Sequence, residues 1–141
     1  PLGAAGWEDA YRAQVAKVLE IAARADAVVY WLGPAPDANT RLGPHLRRIN
    51  PYFEAEVLAH GAAFVPLTPL TSPSGRFQRT VTIDGTRISM RTQDGSHFTG
   101  RGYAFVADHL LDLITERFPE TGPLAATPSM ASADPLGLAL Q

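Results

Sequence analysis

The chain has 141 residues, of which 45% are hydrophobic and 18% charged, and a formal net charge of −2. That is enough apolar material for the core of one domain; with no basic stripe, the balance argues against a nucleic-acid partner. Cysteine is absent, which excludes disulfides, thiol catalysis and cysteine-ligated zinc and fits any compartment.

The chain starts Pro1-Leu2-Gly3 without an initiator Met, so a processed or trimmed N-terminus is expected. No signal peptide is visible, and no apolar run is long enough to span a bilayer. Residues 7–24 predict an amphipathic helix: Trp7, Tyr11, Val15, Val18, Leu19 and Ala22 recur at helical spacing. Glu8 and Asp9 lie at its positive end, where the helix dipole favours them. Ala27-Val-Val-Tyr-Trp-Leu32 is an unbroken apolar run, as expected of a strand buried on both faces in a parallel sheet. Gly33-Pro34-Ala35-Pro36 ends it.

A second helix is expected over about 43–60, with Leu46, Ile49, Phe53 and Val57 on one face. Pro51 either kinks it or opens a fresh helix capped by Asn50. Gly61 suits the position just past its end. Ala62–Leu67 reads as a second buried strand. This alternation of helix and strand argues for an α/β fold with a parallel sheet. Two strands are too few for such a sheet, so further strands are expected from elsewhere. Residues 76–90 predict a hairpin turning at Asp84-Gly85.

The next stretch, Arg91–Tyr103, reads RTQDGSHFTGRGY and sets Asp94 three residues before His97 at a strand-to-helix junction. Thr99 is the expected N-cap of a last helix over about 100–117, whose apolar face carries Phe105, Val106, Leu110, Leu113 and Ile114. From about Thr121 the chain is rich in Pro, Ala, Ser, Thr and Gly and lacks a period, as a flexible tail or linker does. The expected division is a domain over 1–120 and a tail over 121–141.

The block Asp94-Gly-Ser-His97-Phe-Thr-x-x-Gly102-Tyr103 before an amphipathic helix resembles the C-terminal half of the SGNH/GDSL hydrolase superfamily. Trp7…Tyr11…Val15, Val28–Pro36, Ile49-Asn50 and the strand at 62–67 follow the order of a bacterial, often exported branch of it. The resemblance covers about residues 7–117. It implies a three-layer, flavodoxin-like α/β fold with a parallel sheet whose N-terminal strands lie outside this chain. It also implies His97 as general base and Asp94 as its orienting carboxylate, two members of a Ser-His-Asp triad. Asp at i and His at i+3 on a turn can place a carboxylate on Nδ1. Nε2 is then left to take a proton from a serine. Such a site sits near the carboxyl ends of the parallel strands.

The family's serine belongs to a Gly-Asp-Ser block, and its oxyanion donors to a second Gly block and a Gly-x-Asn block; this chain carries none of them. Asn50 falls in the wrong place to substitute. Ser72, Ser74, Ser89 and Ser96 lie in loop or hairpin contexts, and Gly100 stands where the family often has Pro. The nucleophile is therefore expected outside this chain.

Plainer readings stand beside these. Asp94 and His97 also fit a loop-stabilising pair. A metal site with His109 lacks a third ligand at suitable spacing, and no metal or cofactor is expected. Arg91 reads as a substrate-binding residue, as a brace for the Asp94 loop, or as a solvated arginine. Gly33 and Pro34 are substrate-binding candidates at the rim of a cleft, or simply the end of a strand. Tyr30 and Trp31 suit a pocket wall or the core, Trp7 a core anchor, and His45 and His60 a helix surface.

By resemblance, the expected activity is hydrolysis or transfer of an ester-linked acyl group on a carbohydrate or cell-envelope glycan. The expected partners are a small-molecule or glycan ester and an N-terminal fragment of the same protein. The expected location is exported: periplasmic, cell-envelope or extracellular, in a bacterium. The alternative is a non-catalytic binding or scaffolding domain with the same fold.

Overall fold

The structure, a computed structural model, describes residues 4–119. In chain order the elements are α1 (Trp7–Arg24), β1 (Tyr30–Gly33), α2 (Leu42–Ala59), β2 (Ala63–Pro66), α3 (Leu67–Thr71), β3 (Thr80–Ile83), β4 (Thr86–Ser89) and α4 (Gly100–Arg117). The chain divides into two compact units, Pro1–Ala107 and Asp108–Gln141, with the division inside α4. Both sheets and the Asp94 turn belong to the first unit. The proposed tail at 121–141 lies outside the described residues.

Helix α1 spans the predicted 7–24. Its buried stripe is Trp7, Val15 and Leu19, while Val18, expected on the same face, is 50% exposed. A residue beside Leu19 in sequence is turned about 100° away from it, so the four-residue spacing alone marks the core face. The helix closes with Asp26 in the left-handed region at φ 52. Ala27 N–H donates to Ala22 O and Asp26 N–H to Ala23 O, which satisfies two terminal carbonyls. The end of α2 repeats this pattern with the predicted Gly61 at φ 72, where Ala62 N–H reaches Val57 O and Gly61 N–H reaches Leu58 O.

Helix α2 runs unbroken through Pro51. No fresh helix opens at that proline, and Asn50 is not an N-cap. The capping oxygen is Asn39 Oδ1, which accepts from the amides of Arg41 (2.9 Å) and Leu42 (3.1 Å).

Strands β1 and β2 pair in parallel, from Tyr30 opposite Ala63 to Gly33 opposite Pro66. Val15 and Leu19 of α1 and Val57 of α2 form the core over one face, with Val29, Trp31, Phe53, Ala62 and Phe64 packed against them. Trp31 thus takes the core reading. Trp7 does too: at 7% exposed, it meets Tyr11 and Tyr52 edge-on.

The expected strand at 27–32 is corrected in two ways. It is shorter, and it is not buried on both faces. Side chains alternate across a strand, so Leu32 points away from Trp31; it is 37% exposed. Among the described residues β1 pairs only with β2, and α1 and α2 cover one face. Directly after β2 comes the short helix α3, which the sequence marks with no periodic signal. The observed α/β order and parallel pairing agree with the expected fold class.

The hairpin turns where predicted. Asp84 (φ 50) and Gly85 (φ 75) both have positive φ, as a two-residue turn matched to strand twist requires. Thr99 caps α4 through Oγ1, which accepts from Gly102 N–H at 3.0 Å. A Cβ at Gly102 would collide with the Met90 carbonyl, so this glycine lets the helix sit directly on the end of the hairpin.

The four-residue stripe yields a contrast. Leu19→Ala should lower stability by about 2–5 kcal/mol, and Val18→Ala by no more than about 0.5 kcal/mol. Urea denaturation of the two variants checks this, and equal losses would contradict the assigned face.

Candidate active site

The Asp94 turn is built as a closed loop. Thr99 N–H donates to Met90 O (2.9 Å), and Thr92 N–H donates to His97 O (2.9 Å). Between them Arg91 and Phe98 form an antiparallel bridge. At the tip Gly95 N–H returns to Thr92 O (3.1 Å). Gly95 has φ 76, and a side chain there would collide with Ala38. Both the conformation and the close approach require glycine.

Asp94 organises this loop. Its Oδ1 accepts from Thr92 Oγ1 (2.6 Å), Ser96 N–H (2.9 Å) and His97 N–H (3.1 Å). Its Oδ2 lies 2.6 Å from His97 Nδ1. The Thr92 hydroxyl, then the His97 ring, then the amides of Ser96 and His97 hold the Asp94 carboxyl well below the usual carboxylate range. The cause is hydrogen bonding rather than burial, since the side chain is 50% exposed.

An ionised carboxylate can only accept, so Nδ1 of His97 carries the proton. The imidazole is 73% exposed, and among the described residues its Nε2 makes no hydrogen bond. The lone pair of Nε2 is thereby available to a hydroxyl. Asp94 and His97, the two predicted catalytic residues, are brought together in the geometry the spacing suggested.

The turn is docked onto the loop that leaves the carboxyl end of β1. Ala38 N–H donates to Gly95 O (3.3 Å), and Arg91 Nη2 donates to Pro36 O (3.1 Å). Gly33 and Pro34 begin this loop. Gly33 is buried, with no room for a side chain beside the Phe64 ring and Asn50. Pro34 is half-buried, and its carbonyl accepts from Asn50 Nδ2 (2.8 Å). Gly33 is the last residue of β1. Pro34 stays on the rim of the loop that carries Pro36.

Arg91 is 4% exposed, so the solvated reading fails. Its Nη1 donates to Ser96 O (2.6 Å) and its guanidinium lies 3.8 Å from the Phe98 ring centroid. Of the readings for Arg91, these contacts realise the brace. The cause lies in tertiary contact with Pro36, 55 residues away.

Sequence reasoning missed three site residues. Thr92 was recognisable in principle, because a hydroxyl two residues before an aspartate commonly bonds within the same turn. Arg79 donates to Thr92 O and to Gln93 O (3.2 Å) across 13 and 14 residues, and no local signal marks it. Asn50 was read as a cap but holds the loop after β1.

Among the described residues no serine hydroxyl bonds the His97 ring. Ser72 is fully buried, and Ser74 bonds within its own turn to Arg76. Among them, too, no group of three or more His, Asp or Glu side chains is arranged to hold a metal ion. No described helix is long and apolar enough to cross a membrane.

Residues 1–113 match a protein family described as a protein of unknown function, DUF459. The chain belongs to this family. No protein of curated function matches the sequence. Among solved structures, the fold is similar to a crystal structure of a GDSL-like lipase from Bacteroides thetaiotaomicron. The TM-score is 0.56 at 21% identity, over 78% of this chain and 53% of the lipase. This DUF459 chain therefore has an SGNH/GDSL-like α/β fold and spans about half the length of that lipase.

The depressed carboxyl has a consequence for stability. An unfolded Asp titrates near about pH 4, and the folded one lower. Asp94 thus stabilises the fold fully above that pH, and the contribution is lost as pH falls toward the folded value. Wild type should exceed Asp94→Asn in urea stability at pH 7, with a gap that closes progressively below about pH 4. A gap independent of pH would contradict the assignment.

Proposed function

We propose that this chain is part of an SGNH-type ester hydrolase or O-acyltransferase acting on an acylated carbohydrate or cell-envelope glycan. His97 is the general base, Asp94 fixes its tautomer, and the nucleophilic serine comes from sequence outside these 141 residues. The observation that carries this reading is the 2.6 Å contact of Asp94 Oδ2 with His97 Nδ1, on a turn docked at the carboxyl end of β1. The substrate class and an exported location rest on the resemblance to a bacterial, exported branch of the superfamily.

In this reading Nε2 of His97 takes the serine proton as the oxygen attacks the ester carbonyl. The imidazolium that forms is stabilised by Asp94, already ionised and bonded to Nδ1. His97 then returns the proton to the leaving alcohol oxygen, which gives an acyl-enzyme. Water, deprotonated by the same nitrogen, then attacks the acyl carbonyl, and as the serine–acyl bond breaks His97 returns the proton to the serine oxygen, which completes hydrolysis; a sugar hydroxyl in place of water completes transfer. The oxyanion donors belong to the same outside sequence as the serine.

A second reading, a non-catalytic binding domain, is favoured by one observation: among the described residues no serine hydroxyl meets the His97 ring. One experiment separates the two. In the full-length protein, assayed on an aryl acetate and on an O-acetylated glycan, His97→Ala should lower kcat by about 10²–10⁴-fold. Thermal stability should change little, because the ring is 73% exposed. Unchanged turnover in the variant would remove His97 from catalysis, and an inactive wild type would favour the binding domain.

A further inference from the structure

The peptide group between Ser96 and His97 is gripped from both ends. Its carbonyl, Ser96 O, accepts from Arg91 Nη1 at 2.6 Å. Its N–H, that of His97, donates to Asp94 Oδ1 at 3.1 Å. Rotation of this peptide plane would carry the His97 backbone, and the ring with it, away from Asp94. The same guanidinium also bonds Pro36 O at 3.1 Å, on the loop leaving β1. Its fork therefore spans two segments that are distant in sequence.

We infer that Arg91 is a positioning residue for the Asp94–His97 pair: by binding Ser96 O and Pro36 O together, it fixes the Ser96–His97 peptide plane to the loop after β1 and so sets where Nε2 points. The inference deepens the proposed function and, for its kinetic readout, rests on it.

Several features set Arg91 apart from an ordinary turn brace. It is 4% exposed, and its two hydrogen-bonded nitrogens meet only carbonyls. Its Nε is buried without a partner. Burial pulls its pKa down, opposed by the nearby Asp37 and Asp94 carboxylates. A buried cation with no directly bonded carboxylate is a costly way to close a turn. The guanidinium lies over the Phe98 ring, 3.8 Å from its centroid, which restricts the fork. A planar fork can aim at two carbonyls at once, whereas an ammonium radiates its donors from one point. Arginine, rather than any cation, is what this geometry needs.

The test uses the full-length protein with Arg91→Lys and Arg91→Met. Lysine keeps a buried charge and can hold one carbonyl; methionine keeps volume and no donor. Kinetics on the ester substrate should show kcat of Arg91→Lys reduced by about 10–10²-fold, the scale expected from slight misplacement of a catalytic group, with KM nearly unchanged. An independent readout is the nitrogen-15 NMR of the His97 ring. Wild type should show a protected Nδ1–H proton, and both variants should show it weakened or in fast exchange, with the β1–β2 amides still protected.

Wild-type kcat and an unaltered Nδ1–H signal in a folded variant would overturn the inference. So would a loss of stability with kcat unchanged, which marks a structural role alone. If His97→Ala proves fully active, or the wild type inert, the catalytic reading fails and the NMR signal by itself decides the role of Arg91. If neither variant folds, Arg91 is a structural residue and the positioning role is wrong.

Discussion

The Asp94 carboxylate is the acceptor at the centre of a turn that backbone bonds and two arginines close from outside. It accepts from one hydroxyl, two backbone amides and one ring nitrogen, all between Thr92 and His97. Those donors come from a segment too short for a helix and too tightly curved for a strand. Without an acceptor at its centre, the amides of Ser96 and His97 would lose their partner. The same bonds keep the carboxyl ionised and determine which nitrogen of His97 carries the proton. Local folding and the chemistry of the pair thus depend on one group.

The rest of the first unit fixes where that turn lies. A short parallel sheet directs both strand ends the same way, and the loop from Gly33 to Ala38 leaves from that end. Gly95 provides the close approach to Ala38, Gly102 the seat of α4 on Met90, and Arg91 the link between the turn and Pro36. One layer of hydrophobic packing on the strands is that of α1 and α2, which bury Val15, Leu19 and Val57. The apolar face of β1 that carries Leu32 remains partly open.

Much of this was legible in the sequence where local chemistry decides structure. Helix α1 announced itself by four-residue spacing and an acidic first turn, and the hairpin by Asp84-Gly85. Asp94 and His97 were legible as a pair because a turn joins i and i+3 without help from elsewhere. Legibility failed where a distant contact decides. The apolar run at 27–32 looked buried on both faces because composition cannot tell which face meets a partner. Asn50 looked like a cap, yet its amide serves Pro34, 16 residues away. For Arg91 the substrate-binding, brace and solvated readings all stayed open, because its burial depends on Phe98 and Pro36. Helix α3 follows β2 immediately, with too few residues to display a period.

The claim that everything else serves is that His97, oriented by Asp94, activates a serine belonging to the same protein. An organophosphonate probe that reacts only with activated serines tests it most directly, applied to the full-length protein and followed by peptide mass spectrometry. The account predicts labelling of a single serine outside residues 1–141 in the wild type, and loss of that label in His97→Ala. Equal labelling in both proteins, or none in a folded wild type, would contradict it.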